Sequence, residues 1–245
     1  MMKENSFNKY FSAFILIGMT IAVLIITSIK FGTASGGRLL LVVSALGSLM
    51  GVLSTVCSAN GKIITFLFGF IDVAIYAVVC FISARYGNAV LHALYFVPMQ
   101  FVGFMQWRKR GAAKKSEVVA RRLNGRQWAI CSAVFFLGGL VAYAILARFD
   151  KSAADSFIRT AVILDVLPLM CNILGQYLMS MAYMEQWIFW IGVNVTSILM
   201  WLSTMKGAGD SYALIYVIKY AFYLLNSFNG LRIWLELSRR PGLDK

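Results

Sequence analysis

Apolar residues run almost unbroken through eight stretches of this chain, near Phe11–Ile29, Leu39–Ala59, Ile63–Ala84, Asn88–Trp107, Trp128–Ala147, Thr160–Met181, Trp187–Met205 and Tyr212–Leu237. Each is close to the ~20 residues that a helix needs to cross the hydrocarbon core of a bilayer, where the backbone must satisfy its own hydrogen bonds. The pattern predicts an all-α integral membrane protein with eight transmembrane helices. The first run, preceded by Lys3 and Lys9, is too long and too poorly matched to a small-residue cleavage site for a removable signal peptide. It is expected to stay as a membrane helix.

Composition agrees with this picture: 60% of residues are hydrophobic and 13% charged, against about 25% charged in ordinary soluble domains. The net charge of +13 would suit nucleic acid, but its placement does not. Eight of the basic residues fall between Arg108 and Arg126, in one connector after the fourth run. Such a cluster marks a cytoplasmic loop and a surface for anionic headgroups. With eight spans, both termini are then cytoplasmic. No nucleic-acid motif accompanies the charge, so no nucleic-acid partner is expected. Cys57, Cys80, Cys131 and Cys171 lie one per span with no metal or redox spacing, and read as packing residues.

The fourth run ends in Gly103-Phe104-Met105-Gln106-Trp107 and the eighth contains Gly230-Leu231-Arg232-Ile233-Trp234, both Gly-x-x-x-Trp. Superposing these motifs also pairs Phe96 with Tyr223 and His92 with Lys219. Gly69 and Gly192, with Ala59 and Ala182, suggest a similar pairing of the third and seventh runs at an offset of 123 positions. The expected plan is a 3+1+3 parallel repeat of three-helix bundles beside one peripheral N-terminal helix, an arrangement that transporters use to hold substrate between the units. Its boundaries would be 1–36 for the peripheral helix and 37–110 for the first unit. The basic loop and linker helix would fill 111–158, the second unit 159–237 and the tail 238–245.

Trp187, Trp190 and Asn194 stand at i, i+3 and i+7 and share one helical face. An amide at membrane depth is costly unless it faces protein or a water-filled cavity, and indoles beside it offer flat surfaces to an aromatic solute. On the assumed register their counterparts are Ile64, Leu67 and Ile71, all apolar. A set present in one unit only suits an asymmetric ligand. Anchoring at the headgroup level would also explain Trp187, but it leaves Asn194 without a reason.

Trp187–Asn194 (Trp-x-x-Trp-x-x-x-Asn), the stretch Tyr95–Gly103 ending at Trp107, and Tyr223–Trp234 resemble the PnuC family of bacterial nicotinamide riboside transporters, over about residues 45 to 236. The resemblance implies a SWEET-like 3+1+3 fold in the bacterial inner membrane. It also implies facilitated diffusion of an unphosphorylated vitamin or nucleoside that an intracellular kinase then traps. Family members also handle thiamine, riboflavin or deoxynucleosides, so the fold does not name the substrate. The first span departs from the seven-helix core.

A nicotinamide riboside site makes chemical sense on these residues. The flat cationic pyridinium would stack on Trp187 and Trp190, at roughly 0.5–2 kcal/mol per contact. Asn194 offers a donor and an acceptor to the carboxamide. Gln100, Gln176, Asn172, Tyr223 and Asn226 are candidates for the ribose hydroxyls. Lys219, Tyr223, Asn226 and Gly230 share a face of the last span. Asn226 is preferred there over Lys219, whose charge would oppose a cationic ring. Asp72 is an intramembrane carboxylate that could attract the cation, relay an ion or pack a helix. His92 reads as an interfacial hydrogen-bonding group. Asp165 and Pro168 mark the least apolar span, where Pro168 could provide a hinge.

Gly61-Lys62 lacks the glycine that a phosphate-binding loop needs five residues earlier, so ATP hydrolysis and a bound cofactor are not expected. A membrane enzyme built on His92, Asp72, Asp165 and Glu185 is the competing class, although no nucleophile motif or His-x-x-x-His pair supports it. Whether several copies assemble stays open on the sequence.

Overall fold

The structure is a computed structural model in which residues 6–31, 38–82, 86–112, 117–149, 160–205 and 211–239 are described. Helices occupy every one of the eight apolar runs. They are α1 (Ser6–Phe31), α2 (Arg38–Ala59), α3 (Thr65–Ile82), α4 (Tyr86–Leu91), α5 (Val97–Lys109), α6 (Gly125–Phe149), α7 (Thr160–Ser180), α8 (Gln186–Met205) and α9 (Ser211–Leu237). Among the described residues six helices are long and apolar enough to cross a membrane, and the apolar part of α8, Gln186–Met200, is shorter.

A wide π-helical turn, His92–Phe96, joins α4 to α5 without a break. Pro98 follows it in the first turn of α5. Proline lacks an N–H and its ring crowds the carbonyl four residues earlier, and widening the preceding turn relieves both problems. At the start of α6, Asn124 Oδ1 accepts from the Gln127 N–H at 2.9 Å while Gln127 Oε1 accepts from the Asn124 N–H at 3.0 Å. This reciprocal cap starts the helix where the basic connector ends.

Helices α2, α3 and α5 pack together, as do α7, α8 and α9, and the two groups meet where α2 touches α9 and α5 touches α7. Helix α6 packs on α7, and α1 lies across α2 and α9. Asn60 Nδ2 donates to Ser12 Oγ at 3.0 Å, and Arg232 bonds Asn8 Oδ1, so α1 is tied to both groups.

The two groups share a set of backbone bonds. In the turn after α2, the N–H groups of Asn60, Gly61 and Lys62 donate to the carbonyls of Val56, Ser58 and Cys57; after α7, Met181, Ala182 and Tyr183 donate to Tyr177, Met179 and Leu178. Gly61 and Ala182 carry the matching left-handed conformation, φ 65° and 61°. This places Ala182 opposite Gly61 and Trp187 opposite Phe66, two positions from the register obtained by pairing Ala59 with Ala182. The earlier pairing rested on small side chains, whereas the turn rests on backbone geometry. The counterparts of Trp187, Trp190 and Asn194 are therefore Phe66, Gly69 and Val73, and not Ile64, Leu67 and Ile71.

Side chains follow the same scheme. A Cβ at Gly103 would run into the Phe66 ring, and one at Gly230 into the Trp187 indole. Each Gly-x-x-x-Trp motif thus lets an aromatic ring of its own group lie on bare backbone. Trp107 Nε1 donates to the Met179 carbonyl at 2.8 Å, and Trp234 Nε1 to the Ser58 carbonyl at 2.9 Å. Each indole satisfies a carbonyl in the first helix of the opposite group. The Trp107 and Trp234 rings meet at 5.2 Å in the centre of the core that contains Phe66 and Trp187.

The connector before α6, read from the sequence as a basic loop, is partly a buried strap. Val118, Val119 and Ala120 are buried. The Val118 N–H donates to the Gly61 carbonyl and the Arg121 N–H to the Ala182 carbonyl, at 3.0 and 2.7 Å. The strap therefore closes one end of both groups at their matching turns.

Candidate functional site

A cavity of about 540 Å³ lies between the two helix groups, lined by α2, α3, the π-helical turn and α5 on one side and by α7, α8 and α9 on the other. It runs from Ser58, Met179 and Trp187 beside the core toward Asp165 and Lys219, on the helix ends away from the strap. Nine of the ten residues expected at a site line it: Asp72, Gln100, Asn172, Gln176, Trp187, Trp190, Asn194, Lys219 and Tyr223.

Asn226 is turned away from this lining. It is buried, and its Nδ2 donates to the Thr55 carbonyl at 3.2 Å, tying α9 to α2. Its neighbour Ser227, one position further along α9, reaches the cavity instead. Helical periodicity allows either residue on that face; the rotation of α9 against α2 selects between them.

The amides are held by neighbours rather than left to swing. Asn194 Nδ2 donates to Ser227 Oγ at 3.0 Å, and Ser227 Oγ donates to the Tyr223 carbonyl at 2.8 Å. Gln176 Nε2 donates to Ser180 Oγ at 3.1 Å, which donates to the Met99 carbonyl at 3.0 Å and so links α7 to α5. Asn172 Nδ2 donates to the Pro168 carbonyl at 2.8 Å. Three buried groups on the lining have no hydrogen-bond partner among the described residues: Ser58 Oγ, Gln100 Oε1 and Trp187 Nε1. An unpaired buried acceptor or donor costs about 1–3 kcal/mol, and a polar solute in the cavity could repay it at each.

The two walls differ. At position 69 the α3 wall has glycine, on which the Gln100 amide and the Ser54 hydroxyl lie; at the matching position 190 the α8 wall has an indole lying against Gly175. One wall is a flat aromatic surface and the other is a glycine with amide and hydroxyl groups lying over it. Trp187 serves two purposes, since it is 2% exposed, packs on Trp234 with ring centroids 6.3 Å apart, and still reaches the lining.

Further aromatic residues complete the outer half. The His92 ring lies 4.6 Å from that of Tyr76 and stacks at 4.7 Å on that of Phe96, and all three line the cavity. His92 therefore takes part in an aromatic stack on this wall. Tyr220 also lines the wall, and the Lys219 ammonium sits 5.9 and 5.5 Å from the centres of the Tyr220 and Tyr223 rings. Tyr76 and Tyr220 add to the site residues expected from the sequence. Tyr76 carried a signal in its i+4 spacing from Asp72, and Tyr220 in its place beside Lys219.

The family model for the nicotinamide mononucleotide transporter matches residues 41–236. The chain is 34% identical over 201 residues to the nicotinamide riboside transporter PnuC of Neisseria mucosa, covering 80% of this chain and 73% of that protein. It is 30% identical over 199 residues to the protein of the same name from Haemophilus influenzae, with 80% of each chain covered. Among solved structures it is similar to the crystal structure of the vitamin B3 transporter PnuC, with TM-score 0.66, 29% identity, and 98% of this chain and 95% of that one covered. The paired glycine–tryptophan motifs, the cavity between two helix groups and these matches agree: the chain belongs to the PnuC family of membrane transporters.

Proposed function

We propose that the chain carries nicotinamide riboside across the bacterial inner membrane by facilitated diffusion, with intracellular phosphorylation retaining the product. The observation that carries this reading is the asymmetric cavity, which has an indole on one wall and, at the matching position of the other, a glycine covered by amide and hydroxyl groups. The pyridinium would stack on Trp190 and against the edge of Trp187. Asn194 and Gln100 would meet the carboxamide, and Gln176, Asn172 and Tyr223 the ribose. The charged lining favours the unphosphorylated molecule: it holds two carboxylates, Asp72 and Asp165, and one ammonium, Lys219, whereas a phosphate dianion calls for clustered arginine or lysine donors.

In this reading all eight helical runs cross the bilayer, and 37–110 and 159–237 are two parallel copies of one unit that rock about the cavity. The paired turns, the two buried tryptophans and the strap support it. The basic residues around the strap put that end, and both termini, in the cytoplasm. The cavity then reaches toward the external side.

Two experiments test the proposal. Purified protein in liposomes is expected to equilibrate labelled nicotinamide riboside without a proton or sodium gradient, and to concentrate label only when a kinase and ATP are enclosed. Gradient-driven accumulation of the unmodified compound would remove the uniport reading. For orientation, a cysteine at Arg126, exposed at the start of α6, should react with an impermeant maleimide only from the cytoplasmic side, and one at Arg148, exposed near its end, only from outside. The reverse pattern would invert the topology.

A further inference from the structure

We infer that Asp72 is a charge filter, a specificity-determining residue that makes this cavity select a planar aromatic solute carrying one positive charge over an uncharged one of the same shape. The inference rests on the substrate reading above and adds to it the property being selected.

Asp72 sits on the cavity face of α3 with Gly69, Val73 and Tyr76, at helical spacings of three and four. It lies one turn outward from Gly69, which is the counterpart of Trp190 on the opposite wall. A ring stacked on Trp190 and facing Gly69 would thus have the carboxylate one turn toward the cavity's outer part. The carboxylate is also held in place: a Cβ at Gly51 would stand 2.7 Å from Asp72 Oδ2, so the group lies on bare α2 backbone. Its counterpart on α8 is Val193, so the charge belongs to one wall only.

The other charges are arranged to leave that attraction standing. The described lining contains two carboxylates, Asp72 and Asp165, and one ammonium, Lys219. Lys219 interacts with Asp72 electrostatically, but it also lies over the Tyr220 and Tyr223 rings of its own helix. A monocation therefore brings the lining close to neutrality, and a neutral solute does not. In a site screened from water, a charge at several ångström counts for far more than in bulk solvent.

Calorimetric titration of the full chain in nanodiscs, with nicotinamide riboside and with its uncharged carbon-linked isostere benzamide riboside, tests the filter. The unaltered protein should prefer the cation. Asp72→Asn, which keeps the shape, should weaken nicotinamide riboside about tenfold while moving benzamide riboside by less than about twofold, the scale of one screened charge contact. Lys219→Met should change the ratio in the opposite sense, and it keeps the inference testable if the first variant does not fold. Equal affinity of the unaltered protein for both compounds, or parallel changes for both in either variant, would overturn the filter while leaving the substrate reading intact. No binding of nicotinamide riboside to the unaltered protein would overturn that reading, and the filter with it.

Discussion

Trp107→Ala and Trp234→Ala should each destabilise the folded chain by about 2–4 kcal/mol, somewhat below the 3–5 kcal/mol typical of Trp→Ala in water-soluble cores. The reduction reflects the reference state: in lipid much of the apolar surface never meets water, so the loss comes mainly from the cavity left behind. Both indoles are 0% exposed, so little can collapse into the space. Each also holds a carbonyl in the opposite helix group, at 2.8 and 2.9 Å. Trp→Phe, which keeps most of the volume but removes the donor, should cost about 1–2 kcal/mol at either position. Thermal melts in detergent would read these losses, with Phe136→Ala, 67% exposed on α6, as a nearly silent control. Strongly unequal effects of Trp107→Ala and Trp234→Ala would argue against two equivalent units meeting at this point.

Trp190→Ala and Asn194→Ala should separate binding from stability. Each is expected to weaken nicotinamide riboside binding by about 1–3 kcal/mol, the scale of a lost ring contact or hydrogen bond. Trp190 is half-buried and already presents a face to the cavity, so its removal should lower the melting temperature less than Trp187→Ala, which opens the core. Phe66→Ala, at the position matching Trp187 and in the core instead of the cavity lining, should act mainly on stability. Leu67 is not a suitable comparison because it is 53% exposed on the outer surface. Unchanged affinity in both Trp190→Ala and Asn194→Ala would end the assignment of this wall to the substrate.

The helical runs were legible in the chain because membrane insertion depends on local composition: a stretch such as Ile63–Ala84 is apolar enough to require a helix whatever it packs against. The shared face of Trp187, Trp190 and Asn194 follows from the period of the helix. The Gly-x-x-x-Trp pairs were visible because a small residue and a large one recur together, and the structure gives each glycine an aromatic ring to receive.

Relations between helices were decided only by tertiary structure. The pairing of Gly61 with Ala182 depends on a backbone conformation that alanine seldom adopts, so matching residue types missed it and shifted the register by two positions. Asn226 and Ser227 are neighbours on α9, and only the packing of α9 on α2 sends one amide to the Thr55 carbonyl and the other side chain to the cavity. The strap at Val118–Arg121 reads as an ordinary connector because its partners, Gly61 and Ala182, lie far away along the chain. Periodicity assigns a residue to a face of its own helix, but what that face meets depends on helix rotation and on contacts between distant segments.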